Sequence, residues 1–135
     1  MATIKSFTDI SQSKKLAKIL PIESADMCYR DYNGGIINGY GDCILSKSFI
    51  TGQNNIRSND LPCWSLAALL EQLPYEVVDN EGGSMYLSMN KDDDMYQLVY
   101  SDRYEDYDSI ETNSYENFVD ACCEMILKLH ELKML

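Results

Sequence analysis

An apolar repeat near the end of the chain constrains the fold more than any other feature of the sequence. Its members recur at the spacing of one face of an α-helix: Tyr115, Phe118, Val119, Cys122, Met125, Ile126, Leu129 and Leu132. Asn113 and Glu116 have the spacing of a capping box, with Asn in place of Ser or Thr, so we expect the helix to begin there. A helix with one apolar face has to bury it, and we expect this helix to lie across a β-sheet and close the core.

Two shorter helices are predicted earlier in the chain, and each ends at a proline. The first runs from Asp9 to Leu20, and Thr8 or Ser6 can supply the oxygen that caps its first turn. The second runs from Pro62 to Leu73, because proline suits the first helical position, where the backbone N–H has no partner. Proline ends both helices since it lacks a backbone N–H and restricts the residue before it.

The segments between these helices indicate short β-strands separated by turns. Five segments have strand character, namely residues 27–32, 40–45, 75–78, 84–89 and 95–100. Turns are predicted at the Asn-Gly pairs 33–34 and 38–39 and at residues 81–84 and 91–94, and residues 51–60 form a polar loop. Parallel pairing would need longer crossovers than the late meander offers. We therefore expect one α+β domain over residues 1–135, with three helices packed around a small, mainly antiparallel sheet.

The charge of the chain is one-sided and unevenly distributed. Eleven basic residues stand against 22 acidic residues, which gives a net charge of −11 at pH 7. Residues 90–120 hold ten carboxylates against Lys91 and Arg103, whereas residues 1–20 hold four lysines against Asp9. This balance opposes binding to nucleic acid or to an anionic membrane, both of which attract Lys and Arg. It favours a basic protein partner.

The cysteines and the N-terminus point to a reducing compartment. The five cysteines, an odd number, have no Cys-x-x-Cys spacing: Cys28, Cys43, Cys63, Cys122 and Cys123. The first 20 residues lack the apolar stretch of a signal peptide, and no apolar run approaches the roughly 20 residues of a membrane span. We therefore expect a cytoplasmic protein with free thiols.

The chemistry-bearing residues do not form a catalytic or metal-binding pattern. Cys63 and His130 are the one possible Cys/His pair, and nothing in the sequence brings them together. Cys122 and Cys123 would project about 100° apart on a helix, too far to share a metal easily. The run Asp92–Asp94 lacks the spacing of a calcium loop. We expect no catalytic residue, no metal and no cofactor.

An acidic, tyrosine-rich segment between Tyr100 and Tyr115 is the strongest candidate for binding a partner. Tyrosines give rigid contact area and carboxylates give complementarity to basic groups. We assign the contact to Tyr100, Asp102, Tyr104, Glu105, Asp106, Tyr107 and Asp108. Trp64 is added as an anchor, with a core position as its alternative. The alternative for the segment is a solvated acidic loop.

Three segments carry a resemblance to known proteins: IKSFTDISQSKKLAKILPIESADM, LPCWSLAALLEQLPY and FVDACCEMILKLHELKML. Together they resemble a group of small proteins without an assigned activity, encoded in gut-bacterial genomes and often on phages and other mobile elements. The resemblance covers the beginning, middle and end of the chain. It implies a bacterial accessory protein and no mechanism.

Three functional hypotheses follow. The first is an accessory or inhibitory protein that binds a basic partner through the acidic segment, in the extreme case by imitating the phosphates of DNA. The second is a protein that assembles with copies of itself through helix faces or apolar surface near Trp64. The third is an enzyme or small-molecule binder that uses Cys63.

Overall fold

The computed structural model describes residues 5–30, 42–45, 55–102 and 109–135. Within these residues the helices are α1 (Ile10–Leu16), α2 (Leu66–Gln72), α3 (Phe118–Glu131) and a short 3₁₀ helix (Ile22–Ser24). The strands are β1 (Met27–Arg30), β2 (Asp42–Leu45), β3 (Leu61–Cys63), β4 (Glu76–Val78), β5 (Ser84–Asp92), β6 (Met95–Ser101) and β7 (Ile110–Glu111). The α+β class is confirmed. The predicted turns at 33–34 and 38–39 lie outside the described residues.

The chain divides into two compact units, and the boundary falls within α2. The N-terminal unit comprises residues 6–69, and the C-terminal unit comprises residues 1–5 and 70–135. Their described strands form two sheets rather than the one expected, ordered β2-β1-β3 and β4-β5-β6-β7. All pairings are antiparallel, as predicted. The single domain over residues 1–135 stays a prediction.

In the N-terminal unit, one face of the three-stranded sheet carries the core. Tyr29 lies opposite Cys43 on β2 and opposite Leu61 on β3, so these three side chains share that face. Tyr29 and Cys63 form the buried centre of the cluster. Phe7, Ile10, Met27, Cys43 and Leu61 pack around them.

The predicted second helix begins too early in the sequence, because Pro62 lies in a strand. Pro62 is paired with Cys28, and β3 is an end strand of the sheet in the described residues, where a residue without an N–H is tolerated. The helix begins instead at Leu66, after Ser65, whose hydroxyl accepts a hydrogen bond from the Ala68 N–H at 3.2 Å. The backbone N–H of Ser65 donates to Asp26 Oδ1 at 2.9 Å, which anchors this turn to the residue before β1.

The first helix is shorter than predicted, and its cap is Asp9 rather than Thr8 or Ser6. Asp9 Oδ1 accepts the Gln12 N–H at 2.8 Å, and Gln12 Oε1 accepts the Asp9 N–H at 3.1 Å, which completes a capping box. Thr8 is buried, and its hydroxyl accepts the backbone N–H of Trp64 at 3.1 Å instead. The Thr8 side chain, which was predicted to cap the helix, therefore bonds to the residue that follows β3.

In the C-terminal unit, α3 covers one face of the four-stranded sheet. The buried residues of the helix are Val119, Ala121, Cys122, Cys123, Met125, Ile126 and Leu129. This confirms most of the predicted apolar repeat, although Leu132 follows the end of the helix and is 50% exposed. On the sheet, Leu98 and Tyr100 are buried, and the ring centroids of Tyr96 and Phe118 lie 5.8 Å apart.

The cap of α3 is Asn117, not the predicted Asn113. Asn117 has extended backbone angles, and its side chain accepts the Asp120 N–H at 2.8 Å. The helix cannot begin earlier because Tyr115 exchanges two backbone hydrogen bonds with Tyr96, at 2.7 and 2.9 Å. Asn113 instead donates its backbone N–H to Glu124 Oε2 at 2.9 Å.

The turn between β4 and β5 depends on Asp79 and two glycines. Asp79 Oδ1 accepts the backbone N–H groups of Glu81 and Gly83, at 2.9 and 2.7 Å. Gly82 has a φ of +83°, which favours glycine. A Cβ on Gly83 would lie 2.7 Å from Asp79 Oδ2, so a side chain there would displace the carboxylate that organises the turn.

Candidate functional site

Trp64 and Tyr100, two of the residues assigned to a partner surface, are in the core. Neither has exposed surface. Trp64 Nε1 donates to Ser24 Oγ at 2.9 Å, and the Tyr100 hydroxyl donates to the Pro74 carbonyl at 2.5 Å. Burial raises the pKa of Tyr100. Their assignment to a contact surface is therefore corrected, because a buried side chain with an internal partner is not available to another protein.

The remaining residues of the acidic, tyrosine-rich segment are described only in part. Asp102 is partly exposed and directly follows β6. The other five assigned residues lie outside the described residues, and their role stays a prediction: Tyr104, Glu105, Asp106, Tyr107 and Asp108.

The division into units reveals a sharper separation of charge than the sequence positions suggested. The N-terminal unit holds six acidic and six basic residues, so its formal net charge is zero. The C-terminal unit holds 16 acidic against five basic residues, so its formal net charge is −11. The whole net charge of the chain therefore belongs to the C-terminal unit.

Much of this negative charge is at the surface. The exposed carboxylates of the C-terminal unit, within the described residues, are Glu71, Glu76, Glu81, Asp92, Asp93, Asp94, Glu111, Glu116 and Glu131. Two less exposed carboxylates form ion pairs, Asp120 with Lys5 at 2.7 Å and Glu124 with Lys128 at 3.8 Å. Like charges at this density create a negative electrostatic potential at the surface.

The strand β4 combines exposed apolar surface with carboxylates at the edge of the sheet. Tyr75 is 72% exposed and Val78 is 55% exposed, whereas Val77, between them, is buried. Glu76 lies between the two exposed side chains and Glu81 lies in the following turn, both exposed. β4 is an end strand of the sheet order and is paired with β5. We call Tyr75, Glu76, Val78 and Glu81 the acidic edge.

Sequence reasoning did not single out the acidic edge. The sequence predicted a strand at residues 75–78, but no local signal could show that this strand lies at the end of the described sheet. The ring of Tyr75 is supported from the neighbouring strand by Tyr86, with centroids 5.5 Å apart.

An open polar cleft lies between β6 and α3 of the same unit. Its polar groups are largely engaged with each other. Gln97 Nε2 donates to the Thr112 carbonyl at 2.9 Å, and Lys128 Nζ donates to the Glu111 carbonyl. A cleft whose donors are already satisfied offers little selectivity for a small ligand.

In the N-terminal unit, two thiols that are distant in sequence are adjacent in space. Cys43 Sγ donates to Cys63 Sγ at 3.4 Å, and Thr8 Oγ1 donates to the same Cys63 sulfur at 3.4 Å. The hydrogen bond from Cys43 lowers the pKa of Cys63 despite its burial, with a further contribution from Thr8. The same hydrogen bond and burial raise the pKa of Cys43. The sequence predicted neither this pair nor its contacts.

The other cysteines are ordinary core thiols. Burial raises the pKa of Cys28 to about 11, and its thiol donates to Asp60 Oδ2 at 3.6 Å. Burial alone raises the pKa of Cys122 to about 12.

Among the residues with a described position, no group of three or more His, Cys, Asp or Glu side chains could hold a metal ion. No helix in that part of the chain is long and apolar enough to cross a membrane.

Comparisons with protein-family models, with curated proteins and with solved structures gave no match.

Proposed function

We propose that this chain is a protein-binding accessory module that captures a basic partner through its C-terminal unit. The observation that carries the proposal is the separation of charge, zero in one unit and −11 in the other. A charge of this size concentrated in about half of a small protein speeds encounter with a basic surface and disfavours acidic partners. The resemblance to proteins of bacterial mobile elements provides the setting for such an accessory role.

The acidic edge has the composition of a contact site. Tyr75 offers a large, exposed aromatic ring directly before β4, and Val78 adds an exposed apolar side chain at the end of the strand. Glu76 and Glu81 supply negative charge within the strand and in the turn that follows it. Interfaces commonly place aromatic and apolar groups centrally and charged groups at the rim. Among the described strands β4 is at the end of the sheet, and an end strand can also offer backbone hydrogen-bonding groups to an extended segment of a partner.

The first test isolates a partner and measures its affinity. The full chain is immobilised, and a lysate of the bacterium that encodes it is passed over it at low salt. The protein that is retained is then purified, and its Kd is measured as salt rises from about 0.1 M to about 1 M, which shortens the Debye length from about 10 Å to about 3 Å. We expect a basic protein whose affinity falls as salt rises. A salt-independent partner, or no partner, contradicts the proposal.

Two variants with the same change of charge then locate the contact. Glu76→Gln with Glu81→Gln neutralises the acidic edge, and Asp92→Asn with Asp94→Asn neutralises two exposed carboxylates in the β5–β6 turn. If the edge is the contact, the first variant and Tyr75→Ala each raise Kd about tenfold or more, while the second variant changes it much less. Equal effects of the two charge variants would mean that total charge, not the edge, attracts the partner.

A further variant tests the segment predicted from the sequence. Neutralising Asp102, Glu105, Asp106 and Asp108 together removes four charges, and weaker capture would place the contact there instead of at β4.

Duplex DNA added as a competitor separates a DNA-mimicking inhibitor from other modules, because a DNA-binding partner would be displaced. Sedimentation velocity of the isolated chain detects self-assembly, which is the second hypothesis.

A further inference from the structure

We propose that Cys43 and Cys63 are a redox-reversible dithiol, in which Cys43 meets the oxidant and Cys63 resolves the mixed disulfide. The proposal concerns the N-terminal unit and goes beyond the binding function assigned to the other unit. The oxidant is a low-molecular-weight disulfide of the glutathione class. The product is an intramolecular disulfide between two strands of one sheet.

The sheet brings the two sulfurs together. Cys43 lies opposite Tyr29 on one side of β1, and Cys63 lies opposite Met27 on the other side. Because residues two apart on a strand share a face, both thiols project from the same face of the sheet. Their sulfurs are 3.4 Å apart. A disulfide bond is about 2.05 Å long, so the sulfurs must approach each other by roughly 1.4 Å.

The strands that carry the thiols are the two outer strands of the described sheet. β2 and β3 each pair with the central β1, in the order β2-β1-β3. The residues after β3 are held by backbone hydrogen bonds from Thr8 to Trp64 and from Leu66 to Ser6, so β3 stays in place. Since β1 lies between the two strands and a disulfide joins Cα atoms less than about 7 Å apart, we expect β2 to move inward at the expense of its pairing with β1.

Exposure and contacts give the two thiols different roles. Cys43 is partly exposed, whereas Cys63 has no exposed surface. An external disulfide therefore reaches the Cys43 sulfur first. The Cys63 sulfur is held by Thr8, whose hydroxyl also contacts Ser13 Oγ at 2.8 Å and accepts the Trp64 N–H at 3.1 Å. These contacts keep the buried sulfur aimed at Cys43.

The reaction consists of two thiol–disulfide exchanges that balance in atoms and electrons. Cys63 starts as the thiolate that accepts the hydrogen bond from Cys43. As Cys43 attacks one sulfur of the reagent R–S–S–R, its proton passes to the Cys63 sulfur; the reagent bond breaks, Cys43–S–S–R forms, and the released RS⁻ takes that proton from Cys63. The Cys63 thiolate, formed again, attacks the Cys43 sulfur, and the second RS⁻ leaves and takes from solvent the proton that Cys63 first gave up. Overall, two protein thiols lose two electrons and two protons, and the reagent becomes two RSH molecules.

The remaining cysteines supply internal comparisons. Cys28 lies on β1 between the residues that pair with the two reactive thiols, so its side chain points to the other face of the sheet. Cys122 and Cys123 are buried on α3 in the C-terminal unit. Selective oxidation should therefore leave these three thiols reduced.

The test uses the wild-type chain, oxidised glutathione and peptide mapping. After oxidation, free thiols are blocked with N-ethylmaleimide and the protein is digested with trypsin. Cleavage after Arg30, Lys47, Arg57 and Lys91 gives peptides 31–47 and 58–91, which contain Cys43 and Cys63 as their respective cysteines. We expect these peptides to be joined by a bond that dithiothreitol breaks. Failure to join them in natively folded protein, or equal joining of other pairs, would overturn the proposal.

The order of events is tested with the two single substitutions. Cys63→Ser should retain glutathione on Cys43, because no thiol remains to displace it. Cys43→Ser should leave Cys63 largely unmodified in the folded protein, since that sulfur is buried. Circular dichroism confirms the fold of each variant. In the wild type, brief alkylation with iodoacetamide gives an independent readout, and faster labelling of Cys63 than of Cys43 would refute the assigned order.

Discussion

Asp60 is a buried carboxylate of the N-terminal unit with several hydrogen-bond partners. Its side chain is 2% exposed and pairs with Arg30 at 2.9 Å. It also accepts hydrogen bonds from the Arg57 backbone N–H at 2.8 Å and from the Cys28 thiol at 3.6 Å. Burial alone would raise the pKa of Asp60, but the hydrogen bonds from Arg30 and Arg57 outweigh it and lower the pKa. The charged form of this residue therefore stabilises the fold.

We predict that Asp60→Asn lowers the free energy of unfolding by about 2–3 kcal/mol at neutral pH, because Arg30 loses a largely buried partner. The depressed pKa means that the contribution of Asp60 is fully present above its unfolded pKa and is lost as the pH falls below about 4. Urea denaturation of the wild type and the variant should therefore converge in acid. Asp92→Asn, at an exposed position, should change stability by less than about 0.5 kcal/mol. A difference between wild type and Asp60→Asn that persists unchanged in acid would contradict the role given to the charge.

At the scale of elements, α3 illustrates how a local contact sets the start of a helix. Both Asn113 and Asn117 have the residue type of a cap, but only Asn117 accepts a backbone N–H of the first turn. Asn113 and Tyr115 precede the helix in an extended segment that pairs with β6. The competition between helix and strand pairing is decided by contacts with a distant part of the chain.

We predict that Asn117→Ala costs about 1 kcal/mol of stability, since it removes the hydrogen bond to the Asp120 N–H. Asn113→Ala should cost clearly less, because Asn113 is exposed and its side chain bonds to Glu124, at 3.3 Å, and to Tyr115 without capping a backbone N–H of the helix. Chemical denaturation of both variants provides the comparison. A larger loss for Asn113→Ala would favour the helix start predicted from the sequence.

The parts of the fold that could be predicted are those with a local periodic signal. The repeat of α3 and the alternation of β5 and β6 are visible over many residues. β3 and β7 span three and two residues and were missed, because pairing with distant strands defines them. Pro62 shows the ambiguity well, since proline suits both the first turn of a helix and an edge strand.

The candidate sites, too, were predictable only where a local sequence signal exists. The negative charge of the late part of the chain follows from composition, so the sequence predicted it. The exposure of Tyr75 depends on the order of strands in the sheet, and the approach of Cys43 to Cys63 depends on the register of three strands. No local sequence pattern indicates either the exposure of Tyr75 or the approach of the two thiols. Conversely, Trp64 and Tyr100 were assigned to a surface because residue type alone does not show burial.

At the scale of the whole molecule, the concentration of charge costs stability through repulsion. We predict that the melting temperature rises as salt increases from about 0.01 M to about 0.15 M, where the Debye length shortens from about 30 Å to about 8 Å. The triple substitution of Asp92, Asp93 and Asp94 by Asn should reduce this dependence, because it removes three neighbouring exposed charges. Differential scanning calorimetry measures both. A melting temperature that falls with salt would show that attractive ion pairs dominate instead.

The proline in β3 also has a consequence for the behaviour of the protein at high concentration. An outer strand presents backbone groups to which a strand of another molecule can add, and such addition can continue into aggregates. Pro62 has no N–H, so β3, an end strand of the described sheet with three residues, offers one donor fewer for such an addition. We therefore expect Pro62 to limit strand addition at β3 without adding charge to the unit whose net charge is zero.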